Sequence, residues 1–374
     1  MTKSKKDNSR SDWPVEGGQQ DRQRHVKTSS GSSLKEKWRQ EFSSPLVGVE
    51  VTGAKGCVAA LTSSGSLTLL NLEGEQIAEA KPGKKRKGLY PVQAAQFVGD
   101  DLFVARESKF QCYDRQSLEM KWEVEDQAGR DLNAGRKLMG EEDFAQGFLG
   151  VNGKHVITGS FRGAARRFDT KTGELADVVM TYADLKSVGG YLLGAFRENE
   201  LGRGQSTLMP MNANPNKIVI GDGNKRYVRA KLCCVADMCC SAGLSSIACF
   251  KLGDGTIVWQ TDYELESDEV GMCSDGERVF VHTTHDMSCY SAATGEVTWA
   301  RETKNGSYGM AQPIVTDDSV IAVVDNELIE SRNKKSGNVE WVSDPFDAEL
   351  TSLSSVDGHV FTRTERSIVC LHEA

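Results

Sequence analysis

The fold class is decided by residues 278–302, RVFVHTTHDMSCYSAATGEVTWARE. They contain an apolar segment, a short polar turn, a second apolar segment, a glycine-containing turn and a third segment that includes Trp299. Residues 101–126, DLFVARESKFQCYDRQSLEMKWEVED, and residues 319–344, SVIAVVDNELIESRNKKSGNVEWVSD, have the same order. Short apolar segments separated by Gly and Asp turns predict antiparallel β-strands. The chain is therefore predicted to be built from a repeated β unit.

The repeat has a period of about 40 residues, a spacing typical of propellers and related arrays. The positions that carry or replace the tryptophan are Trp38, Ala78, Trp122, Asp177, Ile220, Trp259, Trp299 and Trp341. Before each unit's second strand, a turn-forming pair predicts a hairpin; these pairs are Lys55-Gly56, Asp100-Asp101, Asn152-Gly153, Gly189-Gly190, Ala236-Asp237, Asp275-Gly276, Asp317-Asp318 and Asp357-Gly358. Residues 208–223 lack both the central glycine and the tryptophan. Seven units with a long insertion therefore remain an alternative to eight.

The two ends of the repeat region complement each other. After the turn at Asp357-Gly358 only two strand-like segments follow, whereas LKEKWRQEF at residues 34–42 resembles a final strand that follows only a polar tail. Pairing this segment with the one around Cys370 would close a ring and leave no open sheet edge. We therefore expect an all-β fold, a single eight-bladed β-propeller of four-stranded antiparallel blades over residues 34–374. Residues 1–33 are expected to form a disordered polar tail.

The repeat resembles a known family motif. SAATGEVTWARE (residues 291–302), DTKTGELADV (residues 169–178) and KLGDGTIVWQT (residues 251–261) are similar to the pyrroloquinoline quinone (PQQ)-like repeat of quinoprotein-type β-propellers. That family includes quinone-dependent alcohol dehydrogenases and the propeller lipoprotein of outer-membrane protein assembly. The resemblance implies an eight-bladed propeller, but it is specific for fold and unspecific for function. No residue matches a recognisable quinone and Ca²⁺ site, so the sequence assigns no catalytic residue and no cofactor.

Composition and charge narrow the functional classes. The chain has 374 residues with 45 Lys+Arg and 53 Asp+Glu, a net charge of −8 that disfavours nucleic-acid binding. No apolar run approaches the about 18 residues of a membrane span, and the first thirty residues lack the apolar run of a signal peptide. The 10 cysteines are sparse for a disulfide framework. A cytoplasmic protein with reduced thiols is expected.

Two adjacent cysteine pairs flank the fifth turn. Cys233, Cys234, Cys239 and Cys240 have a spacing that fits half of a zinc site, but no second pair of ligands is apparent nearby. They are weak metal candidates. In quinone-dependent dehydrogenases, which the repeat resembles, adjacent cysteines form a disulfide against the cofactor, and the position of these pairs at a turn argues against that role. Four further cysteines occupy one equivalent third-strand position and are predicted to be packing residues: Cys112, Cys249, Cys289 and Cys370.

Basic residues concentrate in segments that would share one face of a propeller, the connections from second to third strands and from blade to blade. Arginine favours bidentate binding of carboxylates and phosphates, so this face is a candidate site for an anionic partner. The partner-binding candidates are Arg106, Arg162, Arg197, Arg203, Arg363, Arg366, Lys84, Lys85, Arg86 and Lys87, together with Trp13 in the tail. The alternative is that these charges only keep the loops solvated.

These observations favour a non-catalytic scaffold that mediates protein–protein interaction in a larger complex. A quinone-dependent oxidoreductase is one alternative. An intracellular metal or redox sensor at the cysteine-rich turn is another.

Overall fold

The computed structural model describes residues 33–52, 56–81, 93–106, 109–125, 148–151, 154–159, 164–180, 186–188, 191–194, 207–210, 218–220, 231–242, 246–262, 270–309 and 311–373. Within these ranges the regular elements are β-strands, arranged in eight four-stranded antiparallel sheets. No helix in these ranges is long and apolar enough to cross a membrane. The predicted all-β class with four-stranded antiparallel sheets is confirmed.

Sheets 1 to 4 each contain four strands in sequence order. Sheet 1 consists of β2 (Leu46–Thr52), β3 (Cys57–Thr62), β4 (Leu67–Asn71) and β5 (Gln76–Ala80), and sheet 2 of β6 (Gln93–Val98), β7 (Asp101–Arg106), β8 (Lys109–Asp114) and β9 (Met120–Glu125). Sheet 3 consists of β10 (Phe148–Val151), β11 (His155–Gly159), β12 (Ala164–Asp169) and β13 (Leu175–Met180), and sheet 4 of β14 (Lys186–Val188), β15 (Tyr191–Gly194), β16 (Thr207–Pro210) and β17 (Ile218–Val219).

Sheets 5 to 7 have the same order, and sheet 8 takes its fourth strand from the N-terminal part of the chain. Sheet 5 consists of β18 (Lys231–Val235), β19 (Met238–Ala242), β20 (Ser246–Lys251) and β21 (Ile257–Asp262), and sheet 6 of β22 (Gly271–Ser274), β23 (Arg278–His282), β24 (Asp286–Ser291) and β25 (Val297–Glu302). Sheet 7 consists of β26 (Ile314–Val315), β27 (Ser319–Val324), β28 (Leu328–Asn333) and β29 (Val339–Val342), and sheet 8 of β30 (Ser352–Val356), β31 (His359–Arg363), β32 (Ser367–Glu373) and β1 (Leu34–Glu41).

The predicted pairing of the two ends is confirmed. Strand β1 runs antiparallel to β32, with Trp38 opposite Cys370, and the register shifts between Glu36 and Trp38. Since β32 already pairs with β31 on its other side, β1 covers an edge that would otherwise expose unpaired backbone groups.

Between the first and second strands of their sheets, the described turn signals lie where the repeat predicts them; these are Gly56, Asp100-Asp101, Ala236-Asp237, Asp275-Gly276, Asp317-Asp318 and Asp357-Gly358. The predicted turn residues Lys55, Asn152-Gly153 and Gly189-Gly190 lie outside the described residues. The turn in sheet 5 has no glycine, and Ala236 adopts the left-handed conformation with φ 53. A residue with a side chain pays about 1–2 kcal/mol for that conformation. The tryptophan phase is likewise confirmed for the fourth strands, except in sheet 4, where Ile220 lies just after β17.

The tryptophans join neighbouring sheets. Trp299 of sheet 6 donates its Nε1–H to the carbonyl of Lys334 at 3.1 Å, in the third-to-fourth turn of sheet 7. Gly337 in that turn has φ +72, and a Cβ there would lie 2.5 Å from the indole ring. The same joint links Trp259 to Ala292 and Gly295, Trp122 to Thr170 and Gly173, and Trp38 to Leu72 and Gly74. Through Trp38, sheet 8 is joined to sheet 1.

The apolar core lies between the sheets. Each cluster of buried residues combines side chains of two adjacent sheets, including a cluster between sheets 8 and 1. Strands β3 and β27 are buried along their whole length, because side chains on both faces contact a neighbouring sheet. The first strands of successive sheets contact one another, and β30 contacts β2.

Candidate functional site: loop end and cysteine row

The connections between strands divide into two ends of the molecule. First-to-second turns hydrogen-bond to third-to-fourth turns of the same sheet, as between Leu252 N and the Asp237 carbonyl, or Lys334 N and the Asp318 carbonyl, both at 2.9 Å. We call this the turn end. Because antiparallel strands alternate in direction, second-to-third turns and sheet-to-sheet connections emerge at the opposite end, the loop end.

Part of the loop end forms one hydrogen-bonded arc. Its segments are residues 303–309, the turn 325–327, the connection 343–351, the turn 364–366 and the connection 42–45. Backbone hydrogen bonds join the first three of these in series and join the last two to each other. Thr351 N donates to the Arg363 carbonyl at 2.9 Å. This bond links the connection 343–351 to the end of β31, directly before the turn 364–366. The arc is therefore a fixed surface carried by sheets 6, 7, 8 and 1.

A buried carboxylate anchors one side of this arc. Glu330 is 1% exposed and accepts hydrogen bonds from Asn305 Nδ2 and from the Tyr308 hydroxyl, both at 2.7 Å. Arg332 Nε donates to the same carboxylate at 2.6 Å. Burial and the adjacent Glu330 carboxylate raise the pKa of Tyr308 well above its ordinary value. The hydroxyl therefore stays protonated and donates. This network holds the connection between sheets 6 and 7 against β28. It could not be predicted from the sequence, because no local motif marks it.

The described part of the loop end carries both signs of charge. The exposed carboxylates there are Asp325, Glu327, Asp344, Asp347, Glu349 and Glu365. They outnumber the cations of the same segments, Lys304, Arg363 and Arg366. The Asp347 carboxylate also accepts a hydrogen bond from Arg39 Nη1 at 2.7 Å. The predicted basic face is thus not a property of this arc, and it stays a prediction for the loops outside the described residues.

Three of the candidate arginines lie in described strands or turns. Arg363 ends β31 and donates its Nε–H to Thr351 Oγ1 at 2.9 Å, so its guanidinium is tied to the arc. Arg366 is exposed, and its carbonyl accepts the Phe42 N–H at 2.8 Å. Arg106 ends β7, which is the equivalent position to Arg363 because both residues end the second strand of a sheet. The remaining candidates lie outside the described residues: Arg162, Arg197, Arg203, Lys84, Lys85, Arg86, Lys87 and Trp13.

The four clustered cysteines are core residues of strands rather than turn residues. Cys233 and Cys234 lie in β18, and Cys239 and Cys240 lie opposite them in β19. Successive side chains of a strand point to opposite faces, so Cys233 and Cys240 pack toward sheet 6 while the other two pack toward sheet 4. The four thiols therefore do not converge, which corrects the candidate metal site. Among the described residues, no group of three or more His, Cys, Asp or Glu side chains is arranged to hold a metal ion.

The four equivalent cysteines are confirmed at one position. Each lies in a third strand directly opposite the fourth-strand tryptophan; the pairs are Cys112–Trp122, Cys249–Trp259, Cys289–Trp299 and Cys370–Trp38. Burial raises the pKa of Cys112 and of Cys370 to about 12, and that of Cys289 to about 11. Cys112, Cys289 and Cys370 are therefore protonated at neutral pH and pack as small apolar groups.

A buried histidine lies near the loop end. His282 ends β23 and is fully buried, with Nε2 3.3 Å from the Ala311 carbonyl and its ring 5.1 Å from that of Tyr308. Burial lowers the pKa of His282 to about 4. His285 lies in the exposed turn after this strand.

The burial of His282 predicts that the stability of the folded chain depends on pH. The unfolded chain takes up a proton near the ordinary pKa of 6.5, whereas the folded chain resists protonation down to a pKa of about 4. Stability therefore falls as the pH falls through this window, by about 3 kcal/mol for this group. Urea unfolding between about pH 7 and pH 4 measures the slope. His282→Gln is expected to lose this component. An unchanged slope in the variant would assign the pH dependence to other groups.

Comparisons with known proteins agree with this architecture. Residues 244–371 match the family model described as outer membrane protein assembly factor BamB. No curated protein sequence matches the chain significantly. The structure is similar to BamB from Moraxella catarrhalis, with 13% identity, a TM-score of 0.65, and coverage of 91% of this chain and 98% of that chain.

Two further structures share the fold. Quinohemoprotein alcohol dehydrogenase from Comamonas testosteroni is 8% identical with a TM-score of 0.69, covering 94% of this chain and 79% of that chain. The C-terminal WD40 domain of Sif2 is 10% identical with a TM-score of 0.66, covering 92% of this chain and 99% of that chain. At such low identity these similarities show the fold alone. Over residues 244–371 the chain is therefore similar to the PQQ-like repeat family, and across the described residues its fold is similar to these β-propeller structures.

Proposed function

We propose that this protein is a non-catalytic β-propeller scaffold that binds one or more protein partners at its loop end. The observation that carries the proposal is the hydrogen-bonded arc, which holds charged, exposed side chains on a rigid support. A similar structure, BamB, is described as an assembly factor, which supports a role in assembly rather than turnover. A cytoplasmic location is part of the proposal.

The proposal includes one closed ring of eight blades, each blade being one of the sheets described above. Contacts between consecutive first strands, and between β30 and β2, support this arrangement. The joint between Trp38 and Gly74 has the geometry of the joints between Trp299 and Gly337 and its counterparts. A closed ring has no free sheet edge, so its loops are presented on a body that resists deformation.

The loop end is a better partner surface than the turn end. At the turn end, the backbone groups hydrogen-bond to one another and the glycine turns are covered by tryptophan rings. Exposed charges occur at both ends, but the loop end also carries the longer connections between sheets, such as residues 343–351. Complementary charges on a partner would increase the association rate at low ionic strength.

A charge reversal with a matched control tests this function. The chain is immobilised and exposed to a lysate of the source cells, and the proteins that it retains are identified. One of these proteins is purified, and its rate of association with the chain is measured. The triple variant Arg106→Glu, Arg162→Glu and Arg363→Glu is expected to slow association about tenfold or more at low ionic strength. The variant Lys171→Glu, Lys251→Glu and Lys335→Glu makes the same change of charge at exposed positions of the turn end and is expected to leave the rate unchanged.

Two outcomes would contradict the loop end as the binding surface. If both triple variants slow association equally, net charge alone is responsible. If neither does, the interface lies elsewhere, and Trp13→Ala tests the tail. The oxidoreductase alternative is addressed separately by titration with PQQ and Ca²⁺. A saturable stabilisation of about 2.7 kcal/mol at hundredfold excess over Kd would favour an enzyme.

A further inference from the structure

Three thiols stand in one row across sheet 5. Cys233, Cys240 and Cys249 are directly opposite one another on β18, β19 and β20, and the row ends at Trp259 on β21. All three cysteines are buried and pack on the same face, toward sheet 6. The Sγ atoms of Cys240 and Cys249 are 2.7 Å apart. Met238 Sδ lies 3.9 Å from Cys249 Sγ, so the environment is rich in sulfur.

The equivalent rows of other sheets show that packing does not require this contact. Opposite the third-strand cysteine, the second strand carries an aromatic ring in sheets 2, 6 and 8; these residues are Phe103, Phe280 and Phe361. In sheet 6 the ring of Phe280 stands between Cys273 and Cys289, which occupy the first and third positions of the same row. Sheet 5 has Cys240 in place of the ring. The two thiols meet only because of that replacement.

The distance between the two Sγ atoms distinguishes a disulfide-forming pair from a pair that shares a metal ion. Two thiolates that share a tetrahedral zinc ion, with bonds of about 2.3 Å, have sulfur atoms about 3.8 Å apart. A disulfide bond is about 2.05 Å long and joins residues that lie directly opposite on neighbouring strands without moving the backbone far. The contact of 2.7 Å is nearer the second value. The pair is thus arranged for a covalent bond rather than for a shared metal ion.

We propose that Cys240 and Cys249 are a disulfide-forming site, oxidised by a small two-electron oxidant of the peroxide class. One thiolate attacks an oxygen of hydrogen peroxide, the O–O bond breaks, and the sulfur becomes a sulfenic acid while the other oxygen leaves as water. The second thiol attacks this sulfur, the S–S bond forms, the S–O bond breaks, and a second water leaves. Two electrons from the two thiols thus reduce one peroxide to two waters.

Burial makes this reaction slow at neutral pH. Burial and the neighbouring thiols Cys233 and Cys249 raise the pKa of Cys240 well above its ordinary value, so little thiolate is present. The oxidant reaches the pair through local opening of the sheet, for which a small uncharged molecule is suited. The disulfide therefore forms slowly, at a rate that rises with pH, and in this it differs from the disulfide of an exposed sensor thiol.

Disulfide mapping of the full-length protein tests the proposal. The reduced folded chain is incubated with hydrogen peroxide, unfolded, alkylated with iodoacetamide and digested, and the peptides are analysed by mass spectrometry. The expected result is a linked pair of peptides carrying Cys240 and Cys249, with a loss of alkylation at both residues. Cys273 and Cys289 are the matched control, because they occupy the same row with Phe280 between them. Their alkylation is expected to be unchanged.

Two variants sharpen the test. Cys249→Ser is expected to abolish the link and restore alkylation of Cys240, whereas Cys289→Ser is expected to leave the link intact. Equal loss of alkylation at all buried cysteines would overturn the proposal, as would a link of Cys240 to Cys233 or a link found only between Cys234 and Cys239. The measurement on the unmodified chain decides the question even if a variant does not fold.

Discussion

Deletion of residues 34–42 is expected to abolish cooperative folding. The deletion removes β1, which covers the edge of β32, and with it the joint in which Trp38 donates Nε1–H to the Leu72 carbonyl at 2.8 Å. Trp38 is partly buried, and loss of a fully buried tryptophan side chain costs about 3–5 kcal/mol, so loss of Trp38 alone costs up to about this amount. A domain of this kind has a total stability of about 5–15 kcal/mol, so loss of the strand as well leaves little. Thermal unfolding followed by circular dichroism in the β-sheet region is the measurement.

Deletion of residues 1–30 is the control, and it is expected to leave the melting temperature nearly unchanged. Trp38→Ala is an intermediate variant that keeps the strand and removes only the joint. If the chains lacking residues 1–30 and 34–42 melt alike, the pairing of β1 with β32 contributes nothing to stability and the closed ring is wrong.

Gly337→Ala is expected to destabilise the protein by about 2–5 kcal/mol. The left-handed backbone at φ +72 costs a residue with a side chain about 1–2 kcal/mol. A Cβ would also lie 2.5 Å from the Trp299 ring, which is 5% exposed and cannot move away. Overpacking of this kind costs about 1–3 kcal/mol more. Urea unfolding at constant temperature measures the change in free energy.

Gly358→Ala separates the two contributions. Gly358 has φ +81, but a Cβ there meets nothing within 4 Å. The free energy of unfolding of this variant is expected to fall only by the backbone contribution, about 1–2 kcal/mol. If Gly337→Ala costs no more than Gly358→Ala, the indole ring does not require a glycine beneath it, and the interpretation of the tryptophan joints is incorrect.

Much of the fold could be predicted from the sequence because the signals are local. A hairpin turn needs residues that adopt particular backbone angles within a few positions, so Asp275-Gly276 and Asp357-Gly358 mark their turns without reference to the rest of the chain. The spacing from Asp275-Gly276 to Trp299 then gives the strand order within a sheet. The same spacing predicted that the strand around Trp38 completes the last sheet, as the register with Cys370 confirms.

Less of the candidate site could be predicted. Arg106 and Arg363 were expected in connections from second to third strands, and each is the last residue of a second strand, next to such a connection. The carboxylates of the connection 343–351 were missed, because a loop's residues show no periodicity that assigns them to a surface. The cysteines near Ala236 were assigned to a turn, whereas they extend along β18 and β19 into the core.

The sequence by itself determined the repeat, the four-strand unit and the joining of the two ends, because each depends on turn chemistry and on alternation over a few residues. Only the tertiary structure decided that the Glu330 carboxylate accepts hydrogen bonds from Asn305 and Tyr308, and that the sulfur atoms of Cys240 and Cys249 are in contact. These contacts depend on the register between strands and on the stacking of one sheet against the next. Both are set by side-chain packing between residues distant in sequence, which leaves no periodic trace in the chain.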